Sequence, residues 1–240
     1  MESLKDWNNW YEKKAEDLKT AEKAELLQIK KSRNPDYKHI PQSISNAQVS
    51  ERLKEIIAFH CPENARILDP TCGKQWLWKN FDLNKYDVAM SDVLDFGQER
   101  VSGFENLLVN KPFDAIVFDP PYIPDFNRKS ENPRGEDYAV SGYPLESIEE
   151  MIKKANEKFP LFLKEDGKLI FKCSDVYNTK TKKFMPLHIK WIELMNNFEL
   201  VDILIHRVYF VSGTAYQVKN RPCSIVQHGM FLIFKKKGEA

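Results

Sequence analysis

From Ala65 onward the chain repeats one pattern, short apolar runs ending in acidic or small residues. The runs are Arg66-Ile67-Leu68-Asp69, then Asp87-Val88-Ala89-Met90-Ser91-Asp92, then Phe113 to Asp119, then Lys168-Leu169-Ile170-Phe171-Lys172 after the turn Glu165-Asp166-Gly167. Brief β-rich runs separated by helix-like stretches predict an α/β fold, a mainly parallel sheet with helices on both faces and a ligand crevice at the carboxyl ends of the strands. A helix is expected over 46–59, where Val49, Leu53, Ile56 and Ile57 share one face, and others over 146–162 and 187–198. Two later runs, 200–211 and 229–235, are expected to form a C-terminal antiparallel hairpin closing the sheet edge. The interval between Asp92 and Asp114 is short and leaves the usual third strand ill-defined.

Residues Leu4 to Lys31 have a different character, rich in Glu, Lys, Ala and Leu with Trp7, Trp10, Leu18, Leu26 and Ile29 as scattered anchors. They predict a charged helical extension, joined to the rest by an extended connection through Pro35 and Pro41. The extension and connection are placed at 1–45 and one catalytic domain at 46–240. With 36 Lys+Arg against 35 Asp+Glu in 240 residues, no global field draws the molecule to a polyanion, so any nucleic-acid contact has to come from a local patch. Charged or amide residues interrupt every apolar stretch before it reaches the ~20 residues of a membrane span, so no membrane partner is expected. Cys61, Cys72, Cys173 and Cys223 lack metal-ligand spacing, and the five histidines are scattered, which argues against a metal centre. Nothing near Met1 looks like a cleavable signal, and a reduced, cytoplasmic setting is the expectation.

The sharpest chemical signal is Asp119-Pro120-Pro121-Tyr122, directly after the apolar run 115–118. Two prolines fix the backbone so that the Asp119 carboxylate and the Pro120 carbonyl can converge as hydrogen-bond acceptors. An exocyclic NH2 has two hydrogens to give them, and its lone pair is then turned toward an electrophile. Tyr122 supplies a flat face for stacking an extruded base. Some fifty residues earlier, at the end of another apolar run, stands Asp69-Pro70-Thr71-Cys72-Gly73.

This pair of motifs, over residues 38 to 236, resembles the class I methyltransferases that modify amino groups, the DNA adenine-N6 and cytosine-N4 enzymes and their RNA relatives. The resemblance extends to small methyltransferases of phage and mobile elements. It implies a Rossmann-like class I methyltransferase sheet and S-adenosylmethionine as cofactor. Asp69 to Gly73 then match the cofactor loop, with Asp69 facing the methionyl ammonium group, and Asp92 binds the ribose hydroxyls. Asp95 is a candidate for the adenine amino group or, equally, a helix N-cap. His39 and Pro41 lie in the element that covers the methionine tail in several of these enzymes. Where the family has a second glycine this chain has Gln75, preceded by Lys74.

After the tetrapeptide comes a long polar stretch, 123–144, whose Arg128, Lys129 and Arg134 suit phosphate contacts, with Glu131, Glu136 and Asp137 offsetting the charge. Lys180-Thr181-Lys182-Lys183 is a second basic segment and 217–228 a third loop of this kind. The expected function is transfer of a methyl group to an exocyclic amino group of a DNA or RNA base, adenine-N6 or cytosine-N4 in DNA being favoured. Glutamine methylation of a protein is a rival, and its enzymes normally begin the tetrapeptide with Asn. A noncatalytic subunit that keeps the fold is the rival from another class, with Gln75 in its favour. The N-terminal helix is available for a protein partner or homodimer.

Overall fold

Alternation of side chains along the apolar runs decides which helix covers which face of the sheet. The computed structural model describes residues 40–121, 143–178, 181–208 and 223–238, and Pro41–Ala240 forms one unit. Its elements are β1 (Ile44–Ser45), α1 (Val49–His60), β2 (Arg66–Asp69), β3 (Asp87–Asp92), β4 (Arg100–Val101), β5 (Phe113–Phe118), α2 (Leu145–Phe162), β6 (Leu163–Cys173), β7 (Val176–Asn178), β8 (Lys183–Met185), α3 (Leu187–Leu194), β9 (Phe198–Arg207) and β10 (His228–Lys236). The main sheet runs β1-β9-β10-β6-β5-β2-β3-β4, and β7 pairs separately with β8. Within the main sheet β10 is antiparallel to both neighbours and the other pairings are parallel. This is the Rossmann-like, doubly wound sheet with an antiparallel C-terminal pair.

On one face Ala115, Val117, Ile170 and Phe231 pack with Leu53, Ile56 and Ile57 of α1. On the other Ile116, Phe118, Leu169 and Leu232 pack with Ile148, Ile152, Ala155 and Phe159 of α2 and with Leu187 and Trp191 of α3. Phe118 is the centre of this second layer, with ring centroids 5.0 Å from Phe159, 5.2 Å from Phe171 and 5.9 Å from Phe104.

Several boundaries depart from the sequence pattern, each for a visible reason. The C-terminal antiparallel pair is present, with β10 inserted between β6 and β9, and a further short strand, β1, pairs with the outer side of β9. Ile44–Ser45, assigned by pattern to the connection, supply that edge strand, and the buried Arg52 of α1 holds the preceding segment by donating to the Gln42 carbonyl. The third strand exists but is two residues long. β6 starts at Leu163 because Phe113 pairs with Leu163 and Ala115 with Lys168, so the expected turn 165–167 is a bulge inside one strand. The helix expected over 187–198 stops at Leu194, before Phe198 enters β9. The extension 1–39 lies outside the described residues.

Phe159 is fully enclosed among Phe104, Phe118 and Phe162. Phe159→Ala should therefore cost ~3–5 kcal/mol of unfolding free energy, read as a lower urea midpoint with unchanged slope.

Candidate active site

The strand order reverses direction between β2 and β5, which makes the gap beyond their carboxyl ends the topological switch point. Asp69 closes β2 and Asp119 follows β5, so the two acidic ends stand on either side of that gap. Thr71 joins them. Its Oγ1 accepts the Asp119 backbone N–H at 2.9 Å, while its own backbone N–H donates to Asp69 Oδ1 at 3.0 Å. The other Asp69 oxygen accepts the Trp78 indole N–H at 2.7 Å. Asp69 is only 1% exposed, so its carboxylate braces the loop from behind.

The loop between them is tied to β3. The Cys72 N–H donates to the Ser91 carbonyl at 3.2 Å and the Gly73 N–H to Asp92 Oδ2 at 2.9 Å. Asp92 Oδ1 also accepts the Leu94 N–H at 3.2 Å. Gly73 has φ +48°, the left-handed region that favours glycine, and nothing lies within 4 Å of where a side chain on it would begin. Gln75 adopts φ +59° and ψ 26°, so the position at which the family carries glycine keeps a glycine-like backbone here.

On the far side of β5, Lys172 at the end of β6 donates to both oxygens of Asp119, at 2.8 and 2.9 Å. Phe118 pairs with Phe171 in parallel register, which sets the two following residues side by side. His206 of β9 packs closely against β10: a side chain on Gly229 would begin 2.3 Å from its ring. Burial, with Lys172, Arg52 and His228 nearby, lowers the His206 pKa to about 4, so this imidazole is neutral. Just past β6, Asp175 accepts from His188 Nδ1 at 2.6 Å and from the His188 backbone N–H at 3.2 Å, which pins the start of α3.

Burial raises Asp69 to about 7 against the opposing hydrogen bonds from Trp78 and Thr71, and the neighbouring charges of Asp119 and Asp92 add to the rise. Burial, followed by Asp69 and Asp92, pushes the Cys72 thiol up to about 12, and burial raises Cys173 as well. Neither is a thiolate at neutral pH, so neither is poised as a nucleophile. Among the described residues no group of three His, Cys, Asp or Glu side chains is arranged to hold a metal ion, and no helix is long and apolar enough to cross a membrane.

No family model and no curated protein matches the chain. Among solved structures it is similar to the N-methyltransferase NodS of Bradyrhizobium japonicum, at 11% identity over 79% of this chain and 94% of that one, with a TM-score of 0.47. It is also similar to an S-adenosylmethionine-dependent methyltransferase of Clostridium acetobutylicum (14% identity, 79% and 91% covered, TM-score 0.45). A third is an rRNA methylase of Streptococcus thermophilus (15% identity, 80% and 98% covered, TM-score 0.43). At such identities and scores the functional reading has to come from the side chains.

Of the residues singled out by sequence, the structure gathers Asp69, Thr71, Cys72, Gly73, Asp92 and Asp119 around one gap, with Pro70 in the same loop. Pro120 is buried and Pro121 half-buried behind Asp119. Asp95 begins no helix; it is exposed and accepts the Gly97 N–H at 2.9 Å in a local turn, which removes the N-cap alternative. Pro41 precedes β1 at the β9 edge of the sheet. His39, Tyr122, Arg128, Lys129 and Arg134 lie outside the described residues. Lys172 and Trp78 were not picked out. The signal for Lys172 was present, since its run ends on a base where the three before it end on acids.

An Asp whose folded pKa lies above its ordinary value binds more protons folded than unfolded between the two values, so it lowers stability as pH rises. From pH 4 toward 7 the native protein should lose ground to Asp69→Asn, by up to ~1.4 kcal/mol per pH unit. Urea denaturation of both proteins across that range measures the difference; parallel curves would show that Asp69 does not titrate this way.

Proposed function

We propose that the chain is an S-adenosylmethionine-dependent methyltransferase acting on an exocyclic amino group of a nucleic-acid base, with adenine-N6 or cytosine-N4 of DNA favoured. The observation that carries this reading is the placement of Asp119 and its two prolines at the switch point, hydrogen-bonded to Thr71 of the glycine-bearing loop and with only β2 between its strand and that of Asp92. The residues present fit the cofactor. Gly73 leaves its backbone open on one side, and Asp92, after accepting two N–H groups, keeps lone pairs for a pair of hydroxyls. Asp69 supports this loop through Trp78 and Thr71.

S-adenosylmethionine, when bound, supplies an electrophilic methyl group on a sulfonium. Asp119 accepts one hydrogen of the acceptor amine and the Pro120 carbonyl the other, so the nitrogen is held with its lone pair free. The same carboxylate is the group placed to take the proton the nitrogen sheds. Positioning of this kind is the main contribution open to the protein, because no covalent intermediate is required. Cys72 and Cys173 are both protonated and are not poised as the cysteine nucleophile of cytosine-C5 chemistry. Asp rather than Asn at position 119 favours a base over a protein glutamine.

Labelled S-adenosylmethionine offered to duplex DNA, single-stranded DNA, RNA and protein should label one nucleic-acid pool. Asp119→Ala should lower the rate by about a hundredfold or more while cofactor affinity by calorimetry stays within a few fold. Label in protein alone would overturn the base-specific reading; no cofactor binding would favour the noncatalytic subunit.

Asp92→Ala should separate the two halves of the site. It removes a carboxylate that holds both the Gly73 and Leu94 N–H groups, so affinity for S-adenosylhomocysteine should fall about tenfold or more. Calorimetry checks this, and unchanged affinity would place the ribose elsewhere.

A further inference from the structure

The feature the proposed chemistry leaves unused is Lys172. A bare carboxylate at the acceptor position attracts any cation small enough to enter, including alkylammonium groups that have no lone pair to give. Asp119 is not bare. Lys172 Nζ lies 2.8 and 2.9 Å from its two oxygens, with the lysine side chain 11% exposed and the carboxylate 23%. An ammonium that spans both oxygens fixes the plane of the carboxylate, and partial burial on both sides limits screening by solvent. Each carboxylate oxygen has two lone-pair sites, so one ammonium contact per oxygen leaves acceptor capacity for the hydrogens of an incoming amine. The charge around the pair is ordered as well. Asp69 lies near Asp119 on the β2 side, and the buried His206, neutral, lies beyond Lys172.

We propose that Lys172 is a positioning and charge-filtering residue of the acceptor subsite: by clamping both oxygens of Asp119 it makes the subsite formally neutral, so that it takes an uncharged planar amino group and turns away alkylammonium cations. This rests on the methyl-transfer reading above, and it adds a rule for substrate selection. Neutral amines of bases pass, whereas protonated lysine side chains and polyamines do not. The clamp also sets the direction of the remaining lone pairs, which is what orients the acceptor.

The test uses the full chain, S-adenosylmethionine and the nucleic-acid pool that accepts methyl, with propylammonium as the cation probe. Wild type should show no competition by propylammonium against the acceptor. Lys172→Met should lose about tenfold to a hundredfold in kcat/KM for the acceptor, because a carboxylate free to rotate misplaces the amine. The variant should also acquire competitive inhibition by millimolar propylammonium while S-adenosylhomocysteine binding is unchanged. Lys172→Arg, which keeps a cation on both oxygens, should restore most of the activity and abolish the inhibition, and it serves as the folded comparison if Lys172→Met is unstable. A merely structural lysine predicts lost activity without new cation binding. The inference is overturned if Lys172→Met binds cofactor and keeps wild-type kinetics, if wild type is inhibited by propylammonium as strongly as the variant, or if Lys172→Arg is inhibited too. A wild type that binds no cofactor would overturn the methyltransferase reading itself, a result calorimetry alone reveals.

Discussion

The pairing of β2 with β5 is the constraint on which the rest of the site depends. These strands are not adjacent in sequence, and they are the two between which the direction of strand addition reverses. Ile67 pairs with Ala115 and Leu68 with Ile116, so the chain leaves both strands at nearly the same level. Everything beyond that level has to diverge, β2 toward the α1 face through Pro70 and Thr71, β5 through two prolines that cannot continue a ladder. Thr71 spans the divergence by accepting the N–H of Asp119. The apolar layers exist to hold this register: Ala115 and Val117 lie against α1 on one side, Ile116 and Phe118 against α2 on the other.

Convergence at the gap creates an electrostatic problem, because Asp92 and Asp119 both come within range of Asp69. The structure resolves it in three ways. Asp69 is taken out of water, and burial raises its affinity for a proton well above that of an ordinary carboxylate. Asp92 is met by the backbone, receiving the N–H groups of Gly73 and Leu94. Asp119 alone is given a cation, and the cation comes from the neighbouring strand. Different treatments imply different tasks: a brace, a loop anchor with spare acceptor capacity, and a partly exposed carboxylate paired with a lysine.

Much of this was legible in the chain because strand ends at a switch point carry their chemistry in sequence order. The four central strands and both long helices follow from apolar periodicity, and the two motifs sit where the runs stop. Two-residue strands leave no periodicity to read, which is why β1 and β4 were invisible or indistinct. The insertion of β10 between β6 and β9 is a matter of topology, and a run such as 228–236 looks the same whichever strand it joins. The bulge at 164–167 resembles a turn because Glu165-Asp166-Gly167 has turn composition; only the pairing of Phe113 with Leu163 shows that the strand continues through it. Lys172 carries a signal that is easy to pass over. A lysine at the end of an apolar run is usually solvated, and its partner is 53 residues away.

Gln75 shows how a departure from a motif can leave its geometry intact. A glycine in this place supplies either a left-handed backbone or room for close approach, and only the second is lost when a side chain appears. At φ +59° Gln75 retains the first, at a steric cost of ~1–2 kcal/mol. Three hydrogen bonds hold it there: its N–H donates to the Cys72 carbonyl at 2.8 Å, its carbonyl accepts the Trp78 N–H at 3.0 Å, and the Trp78 indole is anchored on the buried Asp69. The left-handed turn therefore depends on the same Asp69 brace that supports Thr71, and through it Asp119. Gln75 therefore changes the side chain at this place in the loop without changing the backbone conformation, and leaves the hydrogen bonds that link Asp69, Thr71 and Asp119 in place.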